Sequence, residues 1–261
     1  MTTTRIRRCG EAALLLDCAD LAEAMGVAGL VERLHPEAVD VVAGARTVLV
    51  TARDASALPA LRRGLEELLA GDPRAEQPQA EYPGAEQPQA ERPGAGRAGV
   101  ERAGVAGSDV EVREVVLDVR YDGPDLADVA DLVGVSTETF VRQHTSITWR
   151  AAFGGFAPGF FYLVDERELI GGGPGPRGHG GVAEPLPSVP RLGSPRPRVP
   201  AGSVGMADRF CAVYPGASPG GWRLIGTTDA LLWDSDRPDP ALLAPGDRVR
   251  FRAAGPRDVP R

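Results

Sequence analysis

Nine consecutive residues, Gly155-Phe156-Ala157-Pro158-Gly159-Phe160-Phe161-Tyr162-Leu163, gather four aromatic rings around a Pro-Gly pair in a chain that is only 5% aromatic. Proline fixes φ and glycine admits positive φ, so the backbone must turn sharply there while the rings stay close. The same chemistry returns at Tyr214-Pro215-Gly216-Ala217-Ser218-Pro219-Gly220-Gly221-Trp222. Two rigid, ring-lined turns can build a shaped pocket with backbone N–H groups aimed inward. The alternative is two tight turns of a β domain whose rings fill its core.

The chain contains no lysine, and all 29 of its basic residues are arginine. A Walker-A phosphate loop, a Schiff base and a biotin-carrier lysine are therefore excluded. A bound phosphate or carboxylate must be held by arginine forks, by backbone N–H groups or by a partner. No asparagine is present either, so N-glycosylation is excluded. Two literal motifs fail on physics. Gly173-Pro174-Gly175-Pro176-Arg177-Gly178 has the glycine spacing of a dinucleotide fingerprint, but its prolines prevent the helix that fingerprint must open. Gly216-Ala217-Ser218-Pro219-Gly220 has the spacing of a nucleophile elbow, yet Pro219 lacks the N–H needed for the oxyanion hole. His35, His144 and His179 show no metal spacing. His144 is expected to end a helix, with a partly charged imidazole on the dipole or a role in the site eleven residues downstream.

These groups need a scaffold, and 261 residues suffice for one large domain or two smaller ones. A hydrophobic share of 43% and a charged share of 25% suit a soluble globular protein. The net charge of −7 argues against nucleic-acid binding. No apolar run reaches a membrane span, and Cys9, Cys18 and Cys211 have no metal spacing and cannot all pair, so a cytoplasmic setting is expected.

Residues 1–72 are expected to form a small α/β domain. Its elements are a strand over 12–16, a helix opened by an Asp20/Glu23 capping box, a hairpin of 39–42 with 47–51, and a second leucine-spaced helix ending near Gly71. Residues 75–84 recur almost unchanged at 85–94, so 73–108 reads as a disordered Pro/Ala/Gly-rich linker. From 109 to 254 the pattern is a strand over 111–120, helices over 124–133 and from Ser136 to His144, then short strands. Those strands are expected at 148–153, 160–164, 198–204, 212–214, 222–225, 231–233 and 248–251, with a surface loop at 165–190. A barrel or sandwich is expected.

The motif order resembles the family of 5-oxoprolinase B subunits, also described as allophanate hydrolase subunit 1 and as the sensor histidine kinase inhibitor family. The matching residues are Tyr121 to Leu126, His144-Thr145-Ser146, Gly155 to Leu163 and Pro195-Arg196. They continue through Arg198 to Val204, Tyr214-Pro215, Ser218 to Trp222, Leu224-Ile225-Gly226 and Pro245-Gly246-Asp247. The resemblance implies an α+β N-terminal domain followed by a mainly-β, cyclophilin-like barrel of carboxyltransferase type. It also implies a non-autonomous hydrolase component of a hetero-oligomer. With a homologous C subunit it would activate 5-oxoproline by ATP-dependent phosphorylation, the A subunit completing hydrolysis to glutamate. ATP, with Mg²⁺, would be bound by the complex rather than by this chain alone, and no carboxylate is identified as a metal ligand. Regulation of a sensor histidine kinase and an allophanate or urea-type amide hydrolase are the alternatives.

The implied pocket residues are His144, Phe156, Pro158, Gly159, Phe160, Tyr162, Pro195, Arg196, Arg198, Pro200, Gly202, Ser203, Tyr214, Pro219, Gly220, Gly221, Trp222, Gly226 and Thr228. Arg196, Arg198 and the Gly202-Ser203 turn would hold negative charge without lysine. Two departures bear on the ligand: Phe210-Cys211-Ala212 replaces a usual Gln-Thr-Gly, and Thr227 stands where Arg or His is common. If these positions line the pocket, the ligand is less polar or less anionic than 5-oxoproline.

Overall fold

The computed structural model describes residues 4–34, 37–70, 100–101, 112–169 and 186–255, and falls into two compact units, 1–96 and 97–261. His35, His179 and the repeated segment at 75–94 lie outside the described residues.

The first unit comprises β1 (Arg5–Cys9), β2 (Ala13–Asp17), α1 (Leu21–Leu34), β3 (Ala38–Ala43), β4 (Thr47–Ala52) and α2 (Leu58–Ala70). Its antiparallel sheet has the order β1-β2-β4-β3. Strict alternation buries Leu14, Leu16, Val48 and Val50 on one face, where Ala24, Val31, Leu61 and Leu65 of the helices meet them. The Asp20 half of the capping box forms, with Asp20 Oδ1 accepting from the Glu23 N–H at 2.9 Å, while the Glu23 carboxylate reaches one residue further back and accepts from the Ala19 N–H. Strand β1 has no apolar alternation to announce it. Ile6 is its sole aliphatic residue, among arginines, and β2 imposes the strand by pairing.

The second unit comprises β5 (Val100–Glu101), β6 (Glu114–Val119), α3 (Leu126–Val133), α4 (Thr137–Ser146), β7 (Trp149–Gly154), β8 (Phe161–Asp165) and α5 (Glu166–Leu169). It continues with β9 (Arg196–Val199), β10 (Ser203–Ala207), β11 (Phe210–Val213), β12 (Ser218–Gly220), β13 (Arg223–Thr227) and β14 (Arg248–Ala253). Eight strands make one mixed sheet in the order β13-β10-β11-β8-β7-β14-β6-β5. Strand β14 runs parallel to β6 and antiparallel to β7. A bridge from Arg120, just past β6, to Thr227 at the end of β13 joins the two flanks and nearly closes a barrel. Strands β9 and β12 form a separate two-stranded sheet. The core is built from Leu117, Phe140, Trp149, Leu163, Met206 and Ile225, all buried.

Three sequence expectations change. The run 198–204 is two strands rather than one, because Pro200 has no N–H for a ladder and Gly202 takes φ +76°. Residues 231–233 form no strand and contribute only the bridge Trp233↔Ala241. Val100–Glu101, inside the stretch read as linker, pairs with β6, whose edge offers free backbone donors and acceptors.

Candidate functional site

Four segments converge on an open cleft of about 280 Å³ in the second unit. It is lined by Asp122, Gly123 and Pro124 before α3, Arg196, Arg198 and Pro200 of and after β9, Ser203 opening β10, and Leu224, Gly226 and Thr227 of β13. Glycines make this convergence possible. A Cβ on Gly123 would lie 2.3 Å from the Leu224 carbonyl oxygen, and one on Gly226 would lie 2.4 Å from the Arg120 carbonyl oxygen. The backbone before α3 therefore lies directly on β13, and no other residue type lets it approach so closely.

Two arginines two residues apart on β9 reach this cleft, and they are in different states. Arg196 Nη2 donates to Asp125 Oδ1 at 2.6 Å. The other Asp125 oxygen accepts from the Leu224 N–H at 2.6 Å, and the Asp125 N–H donates to the Leu224 carbonyl at 3.0 Å. Asp125 precedes α3 as its N-cap, yet its side chain makes no capping bond. The carboxylate turns instead toward the cleft wall, where it is almost fully buried. Arg198 is exposed and has no hydrogen-bond or ion-pair partner among the described residues. Beside it, Ser203 is 2% exposed, and its hydroxyl likewise has no hydrogen-bond partner among the described residues. An exposed guanidinium and a hydroxyl that line one cleft can both donate to a ligand oxygen.

Among the described residues lining the cleft there is one carboxylate, Asp122, which accepts the Thr227 hydroxyl proton at 2.9 and 3.1 Å to its two oxygens. Arg120 lies 4.0 Å from it, but that guanidinium is engaged with Asp229 at 2.8 and 3.2 Å. Asp122 and Asp125 both lie in the Tyr121–Leu126 motif, but neither is among the expected pocket residues. The available signal was Asp-Gly-Pro-Asp directly before a helix, which reads equally well as a turn with a cap.

Of the residues expected in a pocket, Arg196, Arg198, Pro200, Ser203 and Gly226 line this cleft. The rings do not. Phe160, Tyr162, Tyr214 and Trp222 pack edge to face at 5.3–5.6 Å between ring centroids, with Phe153 and Phe210 against Tyr162. This second small core supports the cleft from below. The Tyr214 backbone accepts from the Gly202 N–H and donates to the Ser203 carbonyl, and the Trp222 carbonyl accepts from Arg196 at 3.4 Å. Gly220 leaves room for the Tyr214 hydroxyl, which would lie 2.4 Å from a Cβ there. Arg191 sits over the Trp222 ring at 5.8 Å. Gly159, at φ +78°, packs on the Leu232–Trp233 backbone, while Phe156 and Pro158 on the same turn are exposed. Pro195 and Pro219 are exposed, Gly221 faces Pro195, and the buried Thr228 hydroxyl accepts from the Ala230 N–H.

His144 is in neither the cleft nor a dipole interaction. It is fully buried against Phe140, Trp149 and Phe251, with Nδ1 2.8 Å from the Tyr121 hydroxyl and Nε2 3.5 Å from Cys211 Sγ. Burial lowers its pKa to about 3, so the imidazole is neutral. Burial likewise raises the Tyr121 and Cys211 pKa values, so the whole cluster is uncharged. Cys211 and Ala212 are buried in core, so the Phe210-Cys211-Ala212 departure does not touch the cleft. The Thr227 departure does.

Comparison with known proteins agrees with this architecture. Residues 4–243 match the model of the carboxyltransferase domain, subdomain C and D. The chain belongs to that family. This carboxyltransferase-type chain is 43% identical over 144 residues to the 5-oxoprolinase B subunit of Escherichia coli O157:H7, covering 54% of the chain and 58% of the relative. It is 36% identical over 151 residues to the 5-oxoprolinase B subunit of Haemophilus influenzae, covering 57% and 63%. The chain thus spans less than two thirds of either relative. The crystal structure of TTHA0988 superposes at TM-score 0.61 with 27% identity, covering 98% of this chain and 41% of that one. The Kluyveromyces lactis urea carboxylase shares the fold at TM-score 0.60 and 15% identity, covering 97% and 22%.

Proposed function

We propose that this chain is the B subunit of an ATP-dependent 5-oxoprolinase, acting with a homologous C subunit to activate 5-oxoproline and with an A subunit to release glutamate. The observation that supports it from within the molecule is the cleft where the Arg198 guanidinium and the Ser203 hydroxyl, without a side-chain hydrogen bond among the described residues, lie beside a guanidinium fixed by Asp125. A guanidinium fork suits a carboxylate bidentately. The Ser203 hydroxyl can then meet a second ligand oxygen, and Arg196, held in place, adds positive potential without needing to move.

An unactivated lactam is a poor electrophile. ATP would supply the phosphoryl group that turns the lactam oxygen into a leaving group. The cleft of about 280 Å³ suits a small acid rather than a whole nucleoside triphosphate, which is consistent with ATP being bound by the complex. Among the described residues no group of three or more His, Cys, Asp or Glu side chains could hold a metal ion. Mg²⁺ would enter with the phosphates of ATP in the complex, held by those phosphates and water together with one or two carboxylates. The exposed Phe156, Leu231 and Trp233, on the turn and loop that meet at Gly159, support a chain that works against a partner.

The test is reconstitution with the homologous C and A subunits, following glutamate release that depends on ATP and 5-oxoproline. Arg198→Ala is expected to lower kcat/KM by roughly 10- to 100-fold through loss of a charged hydrogen bond, with the melting temperature unchanged. Full glutamate release without this chain would refute the proposal. So would block of a sensor kinase's autophosphorylation by the wild type and Arg198→Ala alike, which is the behaviour of a regulator.

A further inference from the structure

We infer that Asp122 is the specificity-determining residue of the cleft, and that it selects small acids carrying an amide or lactam N–H. The inference rests on the proposed function and deepens it by naming the ligand group each wall reads. Arg198 offers only donors, so it can hold the acid but cannot detect an N–H. Among the side chains lining the cleft, Asp122 is the one carboxylate, a group that when ionised only accepts.

Its surroundings orient it for that task. The Thr227 hydroxyl has a single proton, and it reaches both Asp122 oxygens at 2.9 and 3.1 Å. That one shared proton leaves most of the carboxylate's acceptor capacity open. Arg120 could neutralise Asp122, but it approaches only to 4.0 Å and gives its two Nη donors to Asp229. Arg120 therefore makes no hydrogen bond to Asp122 and leaves the carboxylate's remaining lone pairs unoccupied. Its backbone is anchored as well: the next residue, Gly123, donates its N–H to the Ile225 carbonyl and lies against the Leu224 carbonyl with no room for a Cβ. Thr227 thus aims Asp122.

A cleft lined by an exposed cation and by a carboxylate with spare acceptor capacity discriminates by what it would leave unpaired. A ligand with oxygen in place of N–H sets a lone pair against the carboxylate, and such mismatches are rejected more strongly than missing methylenes.

The experiment measures binding of 5-oxoproline and of its lactone analogue, in which the ring oxygen replaces N–H, by calorimetry on the full chain assembled with the homologous C subunit. The wild type is expected to prefer the lactam by about tenfold or more. Asp122→Ala is expected to reduce that preference to within about twofold while changing lactone affinity by less than about threefold, since the side chain is half exposed. Thr227→Val, which frees the carboxylate, is expected to weaken the preference by an intermediate amount. Retention of the lactam preference in Asp122→Ala, or equal weakening of both ligands, would overturn the inference and leave the proposed function standing. Binding of neither compound to the wild type would overturn both.

Discussion

Replacing Asp125 with alanine tests whether the cleft wall is held by the buried carboxylate. Asp125 makes two short charge-assisted bonds, each 2.6 Å, to Arg196 and to the Leu224 N–H. Its removal leaves the Leu224 N–H buried without an acceptor, at a cost of about 1–3 kcal/mol. It also strips Arg196 of its counter-charge. A fully buried pair would lose about 3–5 kcal/mol, but the Arg196 side chain is 28% exposed, which reduces this loss to about 1–2 kcal/mol. Together the expected destabilisation is about 3 kcal/mol, or a fall of roughly 6–12 °C in the melting temperature for a unit of this size. Thermal unfolding followed by circular dichroism, with urea titration at 25 °C, reads both quantities. Asp125→Asn keeps an acceptor for Leu224 but not the charge, so it should lose about half as much. Combining Asp125→Ala with Arg196→Leu should recover about 1–2 kcal/mol relative to the sum of the single changes, because the two groups share one bond. A loss below about 1 kcal/mol for Asp125→Ala, or additivity in the cycle, would refute the account of the wall.

Two further outcomes follow from neighbouring features. His144 has a folded-state pKa of about 3 against about 6.5 when unfolded, so between those pH values the unfolded chain binds one more proton. Stability from this group is complete above about pH 6.5 and falls by about 1.4 kcal/mol per unit as pH drops toward 3. Urea unfolding of the wild type and His144→Gln at pH 4.5 to 7.5 should differ by this slope, and equal slopes would contradict a neutral buried imidazole. Gly202→Ala should lose at least about 2 kcal/mol, because φ is +76° and the new Cβ would meet the Thr228 carbonyl oxygen at 2.3 Å. Gly216→Ala, with nothing within 4 Å, is the neutral control, and similar urea midpoints for the two variants would contradict this.

What the amino-acid pattern disclosed depended on whether a local rule governed the position. The Asp20 cap, the Ser136 cap and the apolar alternation of β4 are local, and each forms as its residues require. The arginine-rich β1 and the brief β5 are strands only because a neighbour pairs with them, so nothing within those segments marked them. At the cleft, the arginines and the Gly-Ser turn could be named because their chemistry is scarce and self-evident in a chain without lysine. The aromatic turns were visible too, but the pattern could not tell a pocket lining from a small core, and the rings became the support beneath the site. The roles of Asp122 and Asp125 are not legible locally because what distinguishes them is a partner far along the chain: Thr227 for one, Arg196 and Leu224 for the other. Which of two arginines is free can be read only from such pairings.

The parallel seating of β14 against β6 has a kinetic consequence. Residues 114 and 248 are neighbours in the ladder, so the sheet gains its middle rung only after a loop of more than a hundred residues has closed. Until then β6 and β7 present unsatisfied edges on either side of an empty slot. Refolding of this unit should accordingly be slow, with aggregation through those edges competing against the late arrival of the final strand.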